Sequence, residues 1–380
     1  MSEFARNLEL FRLAWHGQWD QFRRQIAAVD PQGRTFAAFA VQHHLCQSLL
    51  ARIANAGAAE FISESSLHVL REEDQRCRAK TARLAAVMQD IDREFERAGV
   101  QSLALKGIVF AQRYFGDMFS RRQGDLDVLV RRDDLPRAMQ TLTALGFAAK
   151  PRRLAPVAGG LAVRNHRLRT EHAMTLRRDD LSVDVHWSLR TAPAYRFDDS
   201  VIWNTAQPVN VVGRTFRTLS DEHALALLLV SIAHDIGRGA CKVKHIVDVA
   251  QLLAAAGHTI EWHGFFQRRE DENTLKIAVN VLRLCVDAFE FAERVPFLTE
   301  SLARYCSLIS PSTSTELISR GKGNPQNNLW FMEVYPTRWV RDGMWLIDRG
   351  IPHPSRVFNA AGKTARLAMR YARHFLGMGG

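Results

Sequence analysis

The sequence predicts an α+β protein in which a small mixed sheet with its own helices is carried between two all-helical regions, and three observations predict it. Residues 1–98 place apolar side chains three and four apart with charges between them, the spacing of amphipathic helices. Past Gly99 the texture changes to short aliphatic and β-branched runs broken by short helices. From Ser220 onward the helical spacing returns. The organisation read from this is a helical region over 1–98, an α/β core over 99–218 and a second helical region over 219–380, with neither an internal repeat nor a low-complexity segment.

Each element follows from its own residues. "FAAFAVQHHLCQSLLARI" (36–53) and "LHVLREEDQRCRAKTARLAAVMQDIDREFERAG" (67–99) are helical, the second stopped by Gly99. "LALKGIVFAQRYF" (103–115) reads as a strand that ends at Lys106-Gly107 and turns directly into a helix. "DLDVLV" (125–130) reads as a buried strand, and "DDLPRAMQTLTALGF" (133–147) holds a helix. "HAMTLRRDDLSVDVHWSL" (172–189) reads as two strands joined by an Arg177–Asp180 turn. "SDEHALALLLVSIAHDI" opens a helix on the Ser220 N-cap, and "KVKHIVDVAQLLAAAG" closes one on Gly257.

Composition excludes several classes. The longest apolar stretch, "ALALLLVSIA" (224–233), is bounded by Asp221, Glu222 and His223 before it and His234 and Asp235 after it, too short to span a bilayer. The N-terminal residues show no export signal, so the cytoplasm is the expected location. Cys46, Cys77, Cys241, Cys285 and Cys306 are odd in number and scattered, which reads as reduced structural thiols and not as a zinc site or disulfide framework. A net charge of +11 favours anionic partners. Basic runs lie at 150–156 ("KPRRLAP"), 164–169 ("RNHRLR") and 363–375 ("KTARLAMRYARHF"), and the last is a candidate for contact with an anionic surface.

The chemistry-bearing signal begins at "RRQGDLDVLVRRDD" (121–134). Side chains alternate along a strand, so Asp125 and Asp127 face the same way next to an apolar core. Two such carboxylates repel and resist desolvation unless a cation or proton joins them. Upstream, Gly107 allows backbone N–H groups to approach a phosphate closely, and Lys106 adds a point charge. Downstream, Leu181, Val183, Val185 and Trp187 form one strand face and Ser182, Asp184, His186 and Ser188 the other, which adds a third carboxylate. Three carboxylates beside a phosphate-binding turn suit two Mg²⁺ ions bracketing a triphosphate.

These residues resemble a family. The order Leu105-Lys106-Gly107, then Arg121 four residues before Asp125-Leu126-Asp127, then Asp184-Val185-His186-Trp187 is similar to the uncharacterised bacterial nucleotidyltransferase family of the DNA polymerase β-like superfamily. The likeness continues through "LSDEHALALLLVSIAHDIGRGACKVKHIVDVAQLL" (219–253), where His234, Lys244 and Asp248 fall on the pattern, and it covers residues 35–290. Relatives in the superfamily usually carry Gly-Ser or Gly-Gly where this chain has Gly107-Ile108. The resemblance implies a nucleotidyltransferase core in which Asp125, Asp127 and Asp184 are catalytic metal ligands. It implies that Lys106 and Gly107 hold phosphate, and that Arg121, His234 and Lys244 support nucleotide binding.

The function expected is transfer of a nucleoside monophosphate from an NTP, with ATP the first choice, to an acceptor that is a small molecule, a peptide or an RNA, with Mg²⁺ or Mn²⁺ and release of pyrophosphate. Catalysis would rest on positioning and charge neutralisation, with Asp125 and Asp127 bridging the metals and Asp184 at the attacking oxygen. Two other readings stand beside it: a non-catalytic nucleotide- or acceptor-binding adaptor, and a toxin-like transferase directed at tRNA. The Asp-x-Asp of glycosyltransferases would need a longer α/β domain before it, where this chain is helical. A His223, His234, Asp235 and Asp248 phosphohydrolase quartet is too compressed in spacing. "GKGN" (321–324) lacks the strand and the Lys-Ser/Thr ending of a phosphate loop and reads as a plain loop. His186 reads as a hydrogen-bonded structural residue and Trp187 as packing.

Overall fold

The computed structural model describes residues 1–149, 171–190, 195–290, 295–322 and 324–335. The expectations placed on 150–156, 164–169 and 363–375 therefore lie outside the described residues. The chain divides into a compact unit Met1–Tyr335 and a second unit Pro336–Gly380.

Five helices come first: α1 (Glu3–His16), α2 (Trp19–Val29), α3 (Arg34–Gln42), α4 (Cys46–Ala56) and the 34-residue α5 (Glu64–Arg97). Ser63 caps α5 by accepting from Ser66 N, and Gly99, at φ 65°, turns the chain out of it. Strand β1 (Ser102–Ala104) leads through Gly107 into α6 (Ile108–Phe110), which continues as a π turn over Ala111–Phe115. Strand β2 (Leu126–Val130) and α7 (Leu135–Ala144) follow, then β3 (Ala148–Ala149), β4 (Ala173–Arg178) and β5 (Leu181–His186). The expected hairpin is β4–β5, closed by Asp179 and Asp180 with Arg178 opposite Leu181.

After α8 (Asp199–Asn204) comes a second hairpin, β6 (Gln207–Val211) and β7 (Arg214–Thr218), which the sequence reading passed over. Its two-residue turn has Val212 at φ 48° and Gly213 at φ 76°, the geometry that lets a tight hairpin follow the twist of its strands. Val209, Val211 and Phe216 fill its buried face. The seven strands of the described residues form one mixed sheet in the order β3-β4-β5-β2-β1-β7-β6, so the fold is α+β as predicted. The last part comprises α9 (Asp221–Gly237), α10 (Val243–Ala256), α11 (Trp262–Asp271), α12 (Leu275–Phe289), α13 (Pro296–Arg304) and the shorter α14 (Glu316–Ser319) and α15 (Pro325–Val334). Among the described residues no helix is long and apolar enough to cross a membrane.

The sheet separates two hydrophobic cores. Leu126, Val128 and Val130 of β2 and Leu181, Val183 and Val185 of β5 pack with Leu84, Met88, Ile91 and Phe95 of α5 and with α7. The other core joins helices from both ends of the chain: Phe11 and Trp15 of α1 meet Phe289 of α12 with ring centroids 6.1 and 5.7 Å apart. Strand alternation turns Asp127 and Leu129 away from the α5 side, and Leu129 enters the second core. The aspartates thus stand on the sheet face that meets α9 and α10.

Three polar clamps fix those helices to the segment between β1 and β2. Arg113 pairs with Asp221 of α9 at 2.8 Å, and Tyr114 Oη donates to the same Asp221 Oδ1 at 2.7 Å. Gln251 of α10 donates to the Tyr114 carbonyl at 2.7 Å. Arg121, in the loop before β2, reaches Asp248 of α10.

Candidate active site at the sheet and helix junction

The site begins with register. Strands β2 and β5 run parallel and pair Asp127 directly with Asp184, so two carboxylates stand abreast on one sheet face. Asp125 lies one residue before β2. β2 begins at Leu126, and its neighbour β1 runs antiparallel to it, with the Leu105 N–H donating to the Asp127 carbonyl at 3.0 Å. That bond sets Lys106 beside the acidic cluster, with Nζ 3.6 Å from Asp127 Oδ1. Gly107 follows at φ 66°, ψ −125°, a conformation essentially open only to glycine, so the turn into α6 depends on the absence of a Cβ.

His186, two residues after Asp184 on the same strand face, places Nε2 3.0 Å from Asp127 Oδ1. One donor atom from each of Asp127, Asp184 and His186 falls within 4.8 Å of the others. Two atoms of this cluster, Asp184 Oδ1 and His186 Nδ1, are buried without a hydrogen-bond partner among the described residues.

The charges in the cluster are unequal. Burial, then Asp127 and Asp184, push the Asp125 carboxyl up to about 6. Burial also works against the Asp127 carboxylate, but Lys106, His186 and Arg121 outweigh it and hold the group well below the ordinary carboxylate range. The positive charge at hand therefore serves Asp127 well and does not offset the burial and like charges that raise Asp125.

Beneath the cluster a second ionic group is complete. Arg121 donates from Nε and Nη2 to both Asp248 oxygens at 2.6 and 2.8 Å, and from Nη1 to Gln123 Oε1 at 2.9 Å. Lys244, one helical turn before Asp248, brings Nζ to 3.5 Å from Asp248 Oδ2. Burial works to raise the Asp248 carboxyl, and Arg121 and Lys244 overcome it and hold it low. Burial pulls the Lys244 ammonium down to about 8.

Of the residues singled out from the sequence, Lys106, Gly107, Asp125, Asp127 and Asp184 are brought together at the middle strands of the sheet. Arg121 and Lys244 lie next to them, bound to Asp248. His234 stands apart in an aromatic wall: Nε2 is 2.7 Å from the Tyr195 hydroxyl, and its ring packs on Phe331 and Tyr335 at centroid distances of 5.1 and 6.0 Å. Burial, then Arg190 and Arg238, bring the His234 imidazole down to about 3, so it is neutral.

Arg190 is a residue the sequence reading missed. Its Nη2 donates to Ser231 Oγ, its Nε is buried without a partner, and no carboxylate of the described residues lies within ion-pair distance. Burial depresses its basicity, while Tyr195, Asp235 and Asp127 act to keep it charged. Asp235, one residue past His234, feels Arg190, Lys106 and Lys244 as well, although burial dominates and raises its carboxyl. Carrying the alternation 182, 184, 186, 188 one step further would have reached Arg190.

Comparison with known proteins agrees with this geometry at the level of the family. Residues 31–290 match the family described as uncharacterised nucleotidyltransferase, and the chain belongs to it. Among solved structures, an antibiotic-resistance factor, ANT(2'')-Ia, overlaps 50% of this chain and 97% of its own at 11% identity and a TM-score of 0.33. An antigenic nucleotidyltransferase-like protein from Paracoccidioides brasiliensis overlaps 59% of this chain and 91% of its own at 14% identity and a TM-score of 0.29. Both scores are low, and the family match alone carries the assignment. None of the curated proteins matches the chain.

Proposed function

We propose that this chain transfers a nucleoside monophosphate from an NTP, ATP first among them, to an acceptor in the cytoplasm, with release of pyrophosphate and with the active-site layout of the DNA polymerase β-like enzymes. The observation that carries the reading is the pair Asp127 and Asp184, abreast at one register with Asp184 Oδ1 buried and unpartnered. Buried polar atoms are ordinarily satisfied, and a carboxylate oxygen left bare beside two other carboxylates fits a cation as its partner.

A divalent cation, Mg²⁺ or Mn²⁺, held by Asp127 and Asp184 with Asp125 beside them, would neutralise phosphate charge and acidify the attacking hydroxyl. The remaining work falls to the chain itself. Lys106 and the backbone at Gly107 bind phosphate oxygens, Lys106 being held in place by Asp127. Arg190, with its unpaired Nε, offers a further contact to an anionic oxygen. Asp184 accepts the proton of the attacking hydroxyl. Arg121, Lys244 and Asp248 keep α10 against the strand ends so that these groups hold their spacing. Intact carboxylates at all three positions favour an enzyme over a binding adaptor.

Incubation with each α-phosphate-labelled NTP, Mg²⁺ and cell extract tests the proposal. Label from at least one NTP should enter a small-molecule, protein or RNA fraction and disappear with chelator or with Asp184→Ala. No labelling above the Asp184→Ala control with any NTP would overturn it.

A further inference from the structure

Resting on the nucleotidyl-transfer reading, we infer that the cation centre is a mixed carboxylate and imidazole site of Asp127, Asp184 and His186 that prefers a first-row transition-metal dication to Mg²⁺. The sequence pattern names three aspartates, but the donors that converge are two aspartates and this histidine, with one atom from each inside 4.8 Å. The His186 Nε2 and Asp127 Oδ1 atoms are 3.0 Å apart. Two cis donors of an octahedral ion with bonds of about 2.1 Å are separated by about 3.0 Å, so a single ion can accept both without moving either strand. Lys106 Nζ, 3.6 Å from the same Asp127 oxygen, shows that a positive charge is already favoured at that side of the cluster.

The imidazole is also rigidly presented. His186 is 5% exposed, paired in the sheet with Leu129 on one side and Ala173 on the other, so its ring cannot swing to solvent. The Asp184 Oδ1 is buried and unpartnered, an open valence in the cluster. Mg²⁺ takes oxygen donors and keeps much of its water, whereas transition-metal dications gain from an imidazole nitrogen. A histidine fixed among the ligands therefore shifts selectivity without altering the charge of the site.

The test uses the full chain and Mn²⁺ alone, with the free-ion signal reporting affinity and pulsed electron paramagnetic resonance reporting ¹⁴N coupling from a coordinated imidazole. Bound Mn²⁺ should show that coupling, and Mg²⁺ should displace it only in excess on the order of tenfold or more. His186→Asn should remove the coupling and weaken Mn²⁺ binding by roughly tenfold or more, with Mg²⁺ binding little changed. Bound Mn²⁺ without ¹⁴N coupling, equal loss of both ions in His186→Asn, or no Mn²⁺ binding with or without a non-hydrolysable NTP analogue would overturn the inference. Should the variant fail to fold, the parent spectrum decides alone. Neither readout needs turnover, so a chain that transfers no label can still bear out this site, and one that labels an acceptor can still refute it.

Discussion

Two groups of buried charge sit side by side where the sheet meets α9 and α10, and they are built on opposite rules. In one, Asp248 is enclosed by a bidentate Arg121 and by Lys244, and Arg121 spends its remaining reach on Gln123. In the other, Asp125, Asp127 and Asp184 crowd about Lys106, whose ion pair goes to Asp127, and an Asp184 oxygen is left bare. The first group closes on itself and joins the helices to the sheet. The second is incomplete as the chain makes it, and a binding site is a place where the missing charge arrives from outside.

The sharpest way to separate the two is chemical. Asp184→Ala should lower kcat by a factor on the order of 10³ or more while NTP binding changes little, because its contribution is made mainly in the transition state. Lys106→Ala should act in the other sense and raise KM for the NTP about tenfold or more, since an ammonium on phosphate serves ground and transition states alike. Acceptor labelling or metal-dependent pyrophosphate release reads both. Equal, mild effects on kcat and KM from the two substitutions would break the division of roles.

The next largest effect belongs to the closed group. Asp248→Ala strands Arg121 and Lys244 in the interior and should cost about 3–5 kcal/mol in urea unfolding. Arg121→Met with Asp248→Leu removes both partners of the bidentate pair and should cost clearly less than Asp248→Ala alone. If Asp248→Ala were as stable as the parent, the clamp between α10 and the strand ends would carry no load.

Much of this contrast was legible in the residues themselves. Alternation put Asp125 with Asp127 and Asp184 with His186, and the apolar faces opposite them are the ones that pack on α5 and α7. Register was not legible: that Asp127 lies beside Asp184, and not one residue off, depends on β2 and β5 pairing in parallel across a crossover that no local pattern encodes. The pairing of Arg121 with Asp248 spans 127 residues and needed the fold. The β6–β7 hairpin was missed although Val212-Gly213 is a turn signal between two alternating runs. His186 was read as structural because a strand histidine usually is. Its place in the cluster shows only when the three donors are seen to converge.

A smaller effect concerns protons. Burial, then Lys242, lowers His43 to about 4, and burial, then Arg269, lowers His223 to about 4 as well. Both are neutral in the folded chain, so between about pH 4 and 6.5 the unfolded chain binds more protons than the folded one. Stability should therefore fall as pH drops through that window, by at most about 3 kcal/mol per histidine. His223→Asn should flatten part of the slope in urea unfolding across it. An unchanged slope would place the acid sensitivity elsewhere.

The claim that the unmatched carboxylates exist for a ligand and not for the fold is tested most directly by thermal melting of Asp125→Asn and of the double substitution Asp125→Asn with Asp127→Asn, with and without NTP and a divalent cation. Asp125→Asn alone removes the carboxyl that burial, Asp127 and Asp184 push up, and should leave the melting temperature no lower than that of the parent, whereas the double variant also gives up the pairing of Asp127 with Lys106 and His186. The ligand-induced rise seen in the parent should be lost in the double variant. An Asp125→Asn variant that melts well below the parent, or a double variant that keeps the full rise with nucleotide and metal, would contradict the account.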